Sequence, residues 1–121
     1  MFAILLLINI KVANAVANGE SQFGVLVCGT GIGVSIAANK FAGIRAAVVH
    51  DMNTAKLSRQ HNNANILCLP GDTLDEKQIT EIVQQWLTTD FEGGRHARRV
   101  EKIRLLEEQQ FSATGPGSPS A

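Results

Sequence analysis

Gly24-Val25-Leu26-Val27-Cys28-Gly29-Thr30-Gly31-Ile32-Gly33 decides the fold. Its first five residues are apolar and rich in β-branched side chains, and they run into a glycine cluster. That pattern predicts a strand entering a tight turn, and the lack of polar alternation predicts a central strand buried on both faces. From Gly33 to Lys40 (GVSIAANK), Ala and Ile recur at helix-compatible spacing, and Gly43 can stop that helix. Ile44 to Val49 (IRAAVV) and Asn65 to Leu69 (NILCL) read as two further strands. Between them Asp51 can cap a helix that runs to about Gln60. Leu74 to Leu87 carries the clearest helical pattern, because Ile79, Ile82, Val83, Trp86 and Leu87 fall on one apolar stripe. Trp86 on that stripe reads as core. After Phe91-Glu92-Gly93-Gly94 breaks the pattern, Arg95 to Gln110 predicts a charged helix with a narrow seam of Val100, Ile103 and Leu106. A seam that thin suits packing on a partner subunit or at the domain edge. Strand, glycine turn, helix, strand, helix, strand is the order of right-handed parallel crossovers, so the expected fold class is α/β, with ligands bound at the carboxyl ends of the strands. That places the site near residue 28.

The composition agrees and removes other classes. A chain of 121 residues suits one domain, expected over residues 1–111, while Ser112 to Ala121 (SATGPGSPSA) has no apolar face to bury and reads as a disordered tail. With 45% hydrophobic and 18% charged residues, wholesale disorder, collagen-like and coiled-coil readings fall away. Eleven Lys plus Arg balance eleven Asp plus Glu, which removes the broad electrostatic case for a nucleic-acid or anionic-membrane partner. Cys28 and Cys68 lie far apart, and neither has a neighbour at metal-site or redox-motif spacing, so a disulfide scaffold is not expected. Phe2 to Ile8 is an apolar run followed by Ala13-Asn14-Ala15, a small-x-small pattern like a signal-peptidase site. The run is too short to span a bilayer, no Lys or Arg precedes it, and Lys11 follows it. It reads instead as a buried strand or the first turns of a core helix in a cytoplasmic protein.

Four groups of residues could carry chemistry. In Cys28-Gly29-Thr30-Gly31-Ile32-Gly33, alternate glycines let the backbone approach a ligand with N–H groups pointing outward, a cradle for negative charge. The run is not a dinucleotide fingerprint, since Val34 stands where a glycine is needed, and no P-loop Lys follows. A thiol beside such N–H groups can serve as thiolate base or nucleophile, although free cysteine is also a common small core residue, the reading given to Cys68. His61-Asn62-Asn63 follows a helix and is expected near the same loops, where an imidazole could move a proton and Asn62 could hold a hydroxyl; the plainer reading is an Asn-rich turn. Asp51, beside His50, is sufficiently explained as a cap. Arg95 and Arg99 project from one helix face, and their planar forks suit a phosphate, with Arg98, Lys102 and Arg104 nearby; a solvated charged face explains any two of them equally well.

In this order the pieces resemble a known family. GVLVCGTGIGVSIAANKFAGIRAA, LSRQHNNANILCL and FEGGRHARRVEKI, three separated blocks between about Ile10 and Glu108, are similar to the type B ribose-5-phosphate isomerases, which are grouped with galactose-6-phosphate isomerase subunits. The resemblance implies a Rossmann-like three-layer α/β/α fold with a parallel sheet. It also implies a sugar-phosphate substrate, no cofactor and no metal, and a homodimer with shared active sites. Carried over by position, it makes Cys28 the base that moves the proton between C1 and C2 of ribose 5-phosphate and ribulose 5-phosphate. The amides of Gly29, Gly31, Ile32 and Gly33 would hold the enediolate. Thr30 and His61 would open the sugar ring, Asn62 would bind a hydroxyl, Arg95 and Arg99 would bind the phosphate, and His96 would assist. Two departures stand out. The family usually begins with a strand ending in Asp-His, then a helix and a second strand, and nothing in Met1 to Ile10 matches that pair, so an N-terminally shortened fold is expected. Asp72 stands where many members have an Arg that contacts phosphate. A catalytically silent, isomerase-like module that binds sugar phosphate or pairs with a full-length subunit is the alternative to an active isomerase.

Overall fold

The computed structural model describes residues 2–113, so the expected C-terminal tail lies outside the described residues from position 114 on. Helix α1 (Phe2–Ala17) leads into β1 (Gly24–Cys28), α2 (Ile32–Ala38), β2 (Ala46–Val48), α3 (Met52–Asn62) and β3 (Ile66–Pro70). Then come α4 (Glu76–Leu87), α5 (Arg95–Glu108) and a closing π-turn, Gln109–Ala113. The three strands form one parallel sheet in the order β1-β3-β2. Gly24 pairs with Ile66 and Cys28 with Pro70, while Ala46 of β2 also faces Ile66.

Local chemistry sets the helix starts. Asp51 accepts the Thr54 N–H at 2.7 Å and Asp75 accepts the Gln78 N–H at 2.8 Å, each as half of a capping box that satisfies two amides with no partner inside the helix. The cap at Asp75 starts α4 at Glu76, two residues later than expected, and the whole apolar stripe from Ile79 to Leu87 lies within it.

One face of the sheet is covered by α1 and α2, with Leu26, Ile66 and Cys68 packed among Ala13, Val16, Val34 and Ala38. Gly24 lets α1 lie close: a Cβ there would come within 2.7 Å of Val12. The other face carries α3 and α4, where Leu67 and Leu69 meet Ala55, Ile82 and Trp86. Trp86 is fully buried, donates its indole N–H to Ser58 Oγ at 3.1 Å, and meets Phe23 edge-on. The buried Arg59 guanidinium lies over the Phe23 and Trp86 rings and reaches the Ala64 carbonyl at 2.7 Å. This is the parallel α/β order read from the residues, in the three-layer, Rossmann-like arrangement that the resemblance implied.

Two expectations need correction or completion. β1 is an edge strand of the described sheet, not its buried centre: Leu26 is covered, but Val25 and Val27 are 39% and 45% exposed. β3 takes the central place and is buried along its whole length. Both strands are apolar, and composition does not reveal which of two apolar strands ends up between neighbours. The N-terminal apolar run is helical. Asn9, on its buried side, donates Nδ2 to the Val34 carbonyl at 2.8 Å, which ties α1 to α2. No helix among the described residues is long and apolar enough to cross a membrane.

Candidate active site

Cys28 sits half-buried at the carboxyl end of β1, where the ladder stops and the glycine loop begins. The loop turns sharply because Gly31 takes a left-handed conformation, φ 77°, that a side chain rarely tolerates. A Cβ on Gly31 would also lie 3.1 Å from the Leu69 backbone and 3.3 Å from that of Pro70. This turn aims the Gly31 N–H at Cys28 Sγ, 3.2 Å away. Thr30 is exposed, and its Oγ1 accepts the Ile32 N–H at 3.2 Å, which organises the start of α2. Ile32 and Gly33 are exposed at the same opening. The loop after β3 folds over this turn: the Gly71 N–H donates to the Cys28 carbonyl at 2.8 Å and the Asp72 N–H to the Gly29 carbonyl at 3.1 Å. Cys68 is fully buried. Desolvation, with Cys28 nearby as a lesser cause, pushes its thiol up to about 12, so it remains an inert core group.

A second cluster forms where α3 ends and α5 begins. The half-buried His61 ring, in the last turn of α3, stacks on His96 with centroids 4.2 Å apart and planes 13° from parallel. His96 lies in the first turn of α5 and is 5% exposed. Arg99 Nη1 lies 3.2 Å from His96 Nδ1. A guanidinium can only donate, so Nδ1 accepts and the proton of neutral His96 sits on Nε2, which points to Glu92 at 3.9 Å. Desolvation lowers the His96 pKa, and His61, Arg95 and Arg99 lower it further against the opposing pull of Glu92. Arg95, Arg98, Arg99 and Lys102 line an open basic groove on α5, and Asn62 is exposed at the end of α3. His61, Glu92 and His96 bring their ligand atoms within 4.8 Å of one another, the one potential metal-ligating group among the described residues. His96 could bind a cation through Nε2 only by giving up the tautomer that Arg99 selects, so this arrangement suits proton handling and anion binding better than a metal. The joining of Glu92 to the two histidines was not anticipated, although the i,i+4 spacing of Glu92 and His96 was there to read.

The two clusters occupy opposite ends of the sheet, which overturns the expectation that His61 lies near the Cys28 loop. Helix α3 starts after the carboxyl end of β2 and carries the chain back to the amino end of β3, as a crossover helix must. His61 and Asn62 therefore lie before Ile66, whereas Cys28 is level with Pro70. Four residues of strand separate these levels, about 13 Å of rise before any side-chain reach is counted. Contacts at the amino end hold the second cluster in place: Arg45 Nε donates to the Asn63 carbonyl at 2.9 Å, and the Glu92 N–H donates to the Gln60 carbonyl at 3.1 Å. Within one chain, the thiol and the guanidinium groups do not share a pocket.

A thiol at the carboxyl end of a parallel sheet, with imidazoles and guanidiniums elsewhere on the same scaffold, is a set of groups able to transfer protons and to bind anions. Comparison with known proteins makes that class specific. The ribose/galactose isomerase family matches residues 6–103. Ribose-5-phosphate isomerase B of Escherichia coli K12 is 50% identical over 100 residues, which cover 83% of this chain and 67% of that relative. The type B ribose 5-phosphate isomerase structure from Trypanosoma cruzi superposes with a TM-score of 0.85 at 50% identity, covering 88% of this chain and 71% of that one. The Mycoplasma genitalium ribose-5-phosphate isomerase B, a structure with bound ribulose-5-phosphate, gives a TM-score of 0.83 at 43% identity over 87% of this chain and 70% of that one. The chain belongs to the ribose/galactose isomerase family, and by that membership it is a sugar-phosphate isomerase of the aldose–ketose type. It spans about two thirds of the length of the relatives it matches.

Proposed function

We propose that this protein interconverts ribose 5-phosphate and ribulose 5-phosphate in a homodimer, each active site joining the Cys28 loop of one protomer to His61, Asn62, Arg95 and Arg99 of the other. The observation that carries this reading is the separation of the two clusters within a chain. Each holds half of what the reaction needs, and a second copy is the simplest way to bring them together. Ile103, Leu105, Leu106 and Phe111 are exposed apolar residues on and just beyond α5, which supports a partner packed against that helix.

The chemistry follows from the groups present. The Cys28 thiolate takes the proton from C2 of the open-chain aldose, the C–H pair forms the C1–C2 double bond, and the carbonyl oxygen becomes an enediolate oxyanion. The amides of Gly29 to Gly33 face that charge. The sulfur returns the proton to C1 as the C2 hydroxyl proton passes to O1, leaving a carbonyl at C2. Nothing is gained or lost overall, so the step needs no redox cofactor. Thr30 and His61 act earlier, on the ring-opening proton transfers, and Asn62 holds a sugar hydroxyl. Arg95 and Arg99 take the phosphate. A six-carbon sugar phosphate such as galactose 6-phosphate is the near variant of substrate.

A second reading, a module that binds sugar phosphate without turnover, draws on Asp72, whose carboxylate stands against Gly29 where negative charge would develop. Turnover of ribose 5-phosphate, followed by ribulose 5-phosphate formation, decides between them. The wild-type chain is expected to turn over and Cys28→Ala to lose at least ~100-fold, the scale of removing a proton-transfer group. Equal rates in the two proteins would end the role given to Cys28, and binding without turnover in the wild type would establish the second reading.

A further inference from the structure

We infer that the basic groove on α5 is a diphosphate site: Arg98 and Lys102 extend the pair Arg95 and Arg99, so that a ligand with two phosphates in succession binds there and keeps the sugar-phosphate substrate out. The competition with substrate rests on the isomerase reading above, which gives Arg95 and Arg99 the substrate phosphate; the groove itself does not.

Helix α5 separates its charges. Arg95, Arg98, Arg99 and Lys102 stand at i, i+3, i+4 and i+7, which puts them on one stripe of the helix surface. All four are exposed, and with Ile103 and Leu106 they line an open groove of about 450 Å³. The carboxylates of the helix are engaged elsewhere. Glu101 and Glu108 both hold Arg104, whose Nη2 lies 2.7 Å from Glu101 Oε1 and whose Nη1 lies 2.9 Å from Glu108 Oε2. Glu107 accepts the Gly43 N–H at 2.8 Å. Among the described residues, Arg95, Arg98, Arg99 and Lys102 make no ion pair. Like charges at this spacing repel one another. In a chain whose eleven basic residues balance eleven acidic ones, such a stripe is not the by-product of a general positive excess.

The charge of the stripe selects the ligand. One phosphate carries about −1.5 to −2 at neutral pH, which Arg95 and Arg99 already match. Arg98 and Lys102 add two cations that a single phosphate leaves unanswered. A second phosphate bonded to the first brings the ligand to roughly −3 to −4, the counterpart of all four. Neighbours on the stripe are about 5–6 Å apart at Cβ, so long Arg and Lys side chains can converge on adjacent phosphates. The guanidinium forks take oxygens in pairs, and Lys102 supplies a compact charge beside them. In the proposed dimer the groove begins where the substrate phosphate must itself enter, so it stays open to a small anion. A diphosphate held there occupies Arg95 and Arg99 and acts as a competitive inhibitor of isomerisation, with no covalent step.

Calorimetric titration at fixed ionic strength, without divalent cations, tests this. Wild type, Arg98→Gln/Lys102→Gln and a charge-matched Lys56→Gln/Lys77→Gln are each titrated with inorganic phosphate, inorganic diphosphate and adenosine diphosphate. All four substituted positions are exposed, and Lys56 and Lys77 lie on α3 and α4. Wild type is expected to bind at least one of the two diphosphates about tenfold or more tightly than phosphate. The tighter of the two shows whether the groove takes the free anion or its ester. Arg98→Gln/Lys102→Gln is expected to bring that affinity to within about threefold of phosphate, and Lys56→Gln/Lys77→Gln to keep the wild-type preference. Equal affinity for phosphate and both diphosphates in the wild type, a preference that survives Arg98→Gln/Lys102→Gln, or one lost equally in both variants would overturn the inference. Turnover of ribose 5-phosphate by the same wild-type preparation separates the two readings. An inactive protein that prefers diphosphate supports the groove and counts against the isomerase reading alone, whereas an active one without the preference counts against the groove alone.

Discussion

Replacing Gly31 with Ala tests the turn that presents the thiol, and the structure supplies both the magnitude and the control. Gly31 has φ 77°, and moving a non-glycine residue into that region costs about 1–2 kcal/mol. The added Cβ would also press on the backbone of Leu69 and Pro70 at 3.1 and 3.3 Å, and β3 is the buried central strand, with little room to yield. Together these should destabilise Gly31→Ala by about 2–3 kcal/mol, which lowers Tm by roughly 6–15 °C in a domain of this size. Relief of the strain would also shift the Gly31 N–H from its 3.2 Å contact with Cys28 Sγ, so turnover should fall by more than the loss of folded protein explains. Gly33, two residues on, is the control: a Cβ there meets nothing within 4 Å and its φ is not positive, so Gly33→Ala should be neutral or slightly stabilising. Thermal unfolding and turnover measured on both variants decide the matter. A Gly31→Ala protein within ~0.5 kcal/mol of wild type, or a Gly33→Ala protein equally weakened, would refute the account of this turn.

Two further outcomes concern the scaffold. His96 has its folded pKa below the ordinary value of 6.5, so the native state resists the proton that the unfolded chain accepts. Its contribution to stability is therefore complete above about pH 6.5 and is lost as pH falls through the folded pKa. The stability of the wild type should decline between pH 7 and 5, and His96→Gln should flatten that slope; a parallel decline in both proteins would assign it to other groups. Ser58→Ala leaves the buried Trp86 indole N–H without its 3.1 Å partner and should cost about 1–3 kcal/mol, read from the urea midpoint at constant m-value. An unchanged midpoint would show that the bond is replaceable.

The parallel crossovers were legible in the sequence because the physics behind them is local. Gly24–Cys28 runs into a glycine cluster, Asp51 stands where a helix cap is needed, and the stripe from Ile79 to Trp86 is periodic. What local pattern could not supply is position relative to neighbours. GVLVC and ILCLP are equally apolar, yet one is an edge and the other a centre, and only the pairing register distinguishes them. Cys28, Thr30, His61, Asn62, Arg95 and Arg99 were all picked out, and sites shared between protomers were expected, but His61 and Asn62 were placed beside the Cys28 loop of their own chain. The correct separation follows from a topological fact that does not need coordinates: a helix linking parallel strands returns the chain to the opposite edge of the sheet, so residues at its end cannot lie beside the strand tips. His96 and Glu92 were harder to see, since their partnership depends on the ring of His61, more than thirty positions away in sequence.

Mixing two inactive proteins is the most direct measurement. Cys28→Ala and His61→Ala are each expected to fail alone, one lacking the base and the other the group at the far end of the sheet. If a site draws these residues from two protomers, a mixed dimer holds one intact site and one doubly damaged site. Random exchange of equal amounts should then restore about one quarter of wild-type turnover, since half of the dimers are mixed and each has one good site of two. Turnover that stays at the level of the separate variants after confirmed subunit exchange would mean that Cys28 and His61 do not meet across a dimer, and it would contradict the shared site.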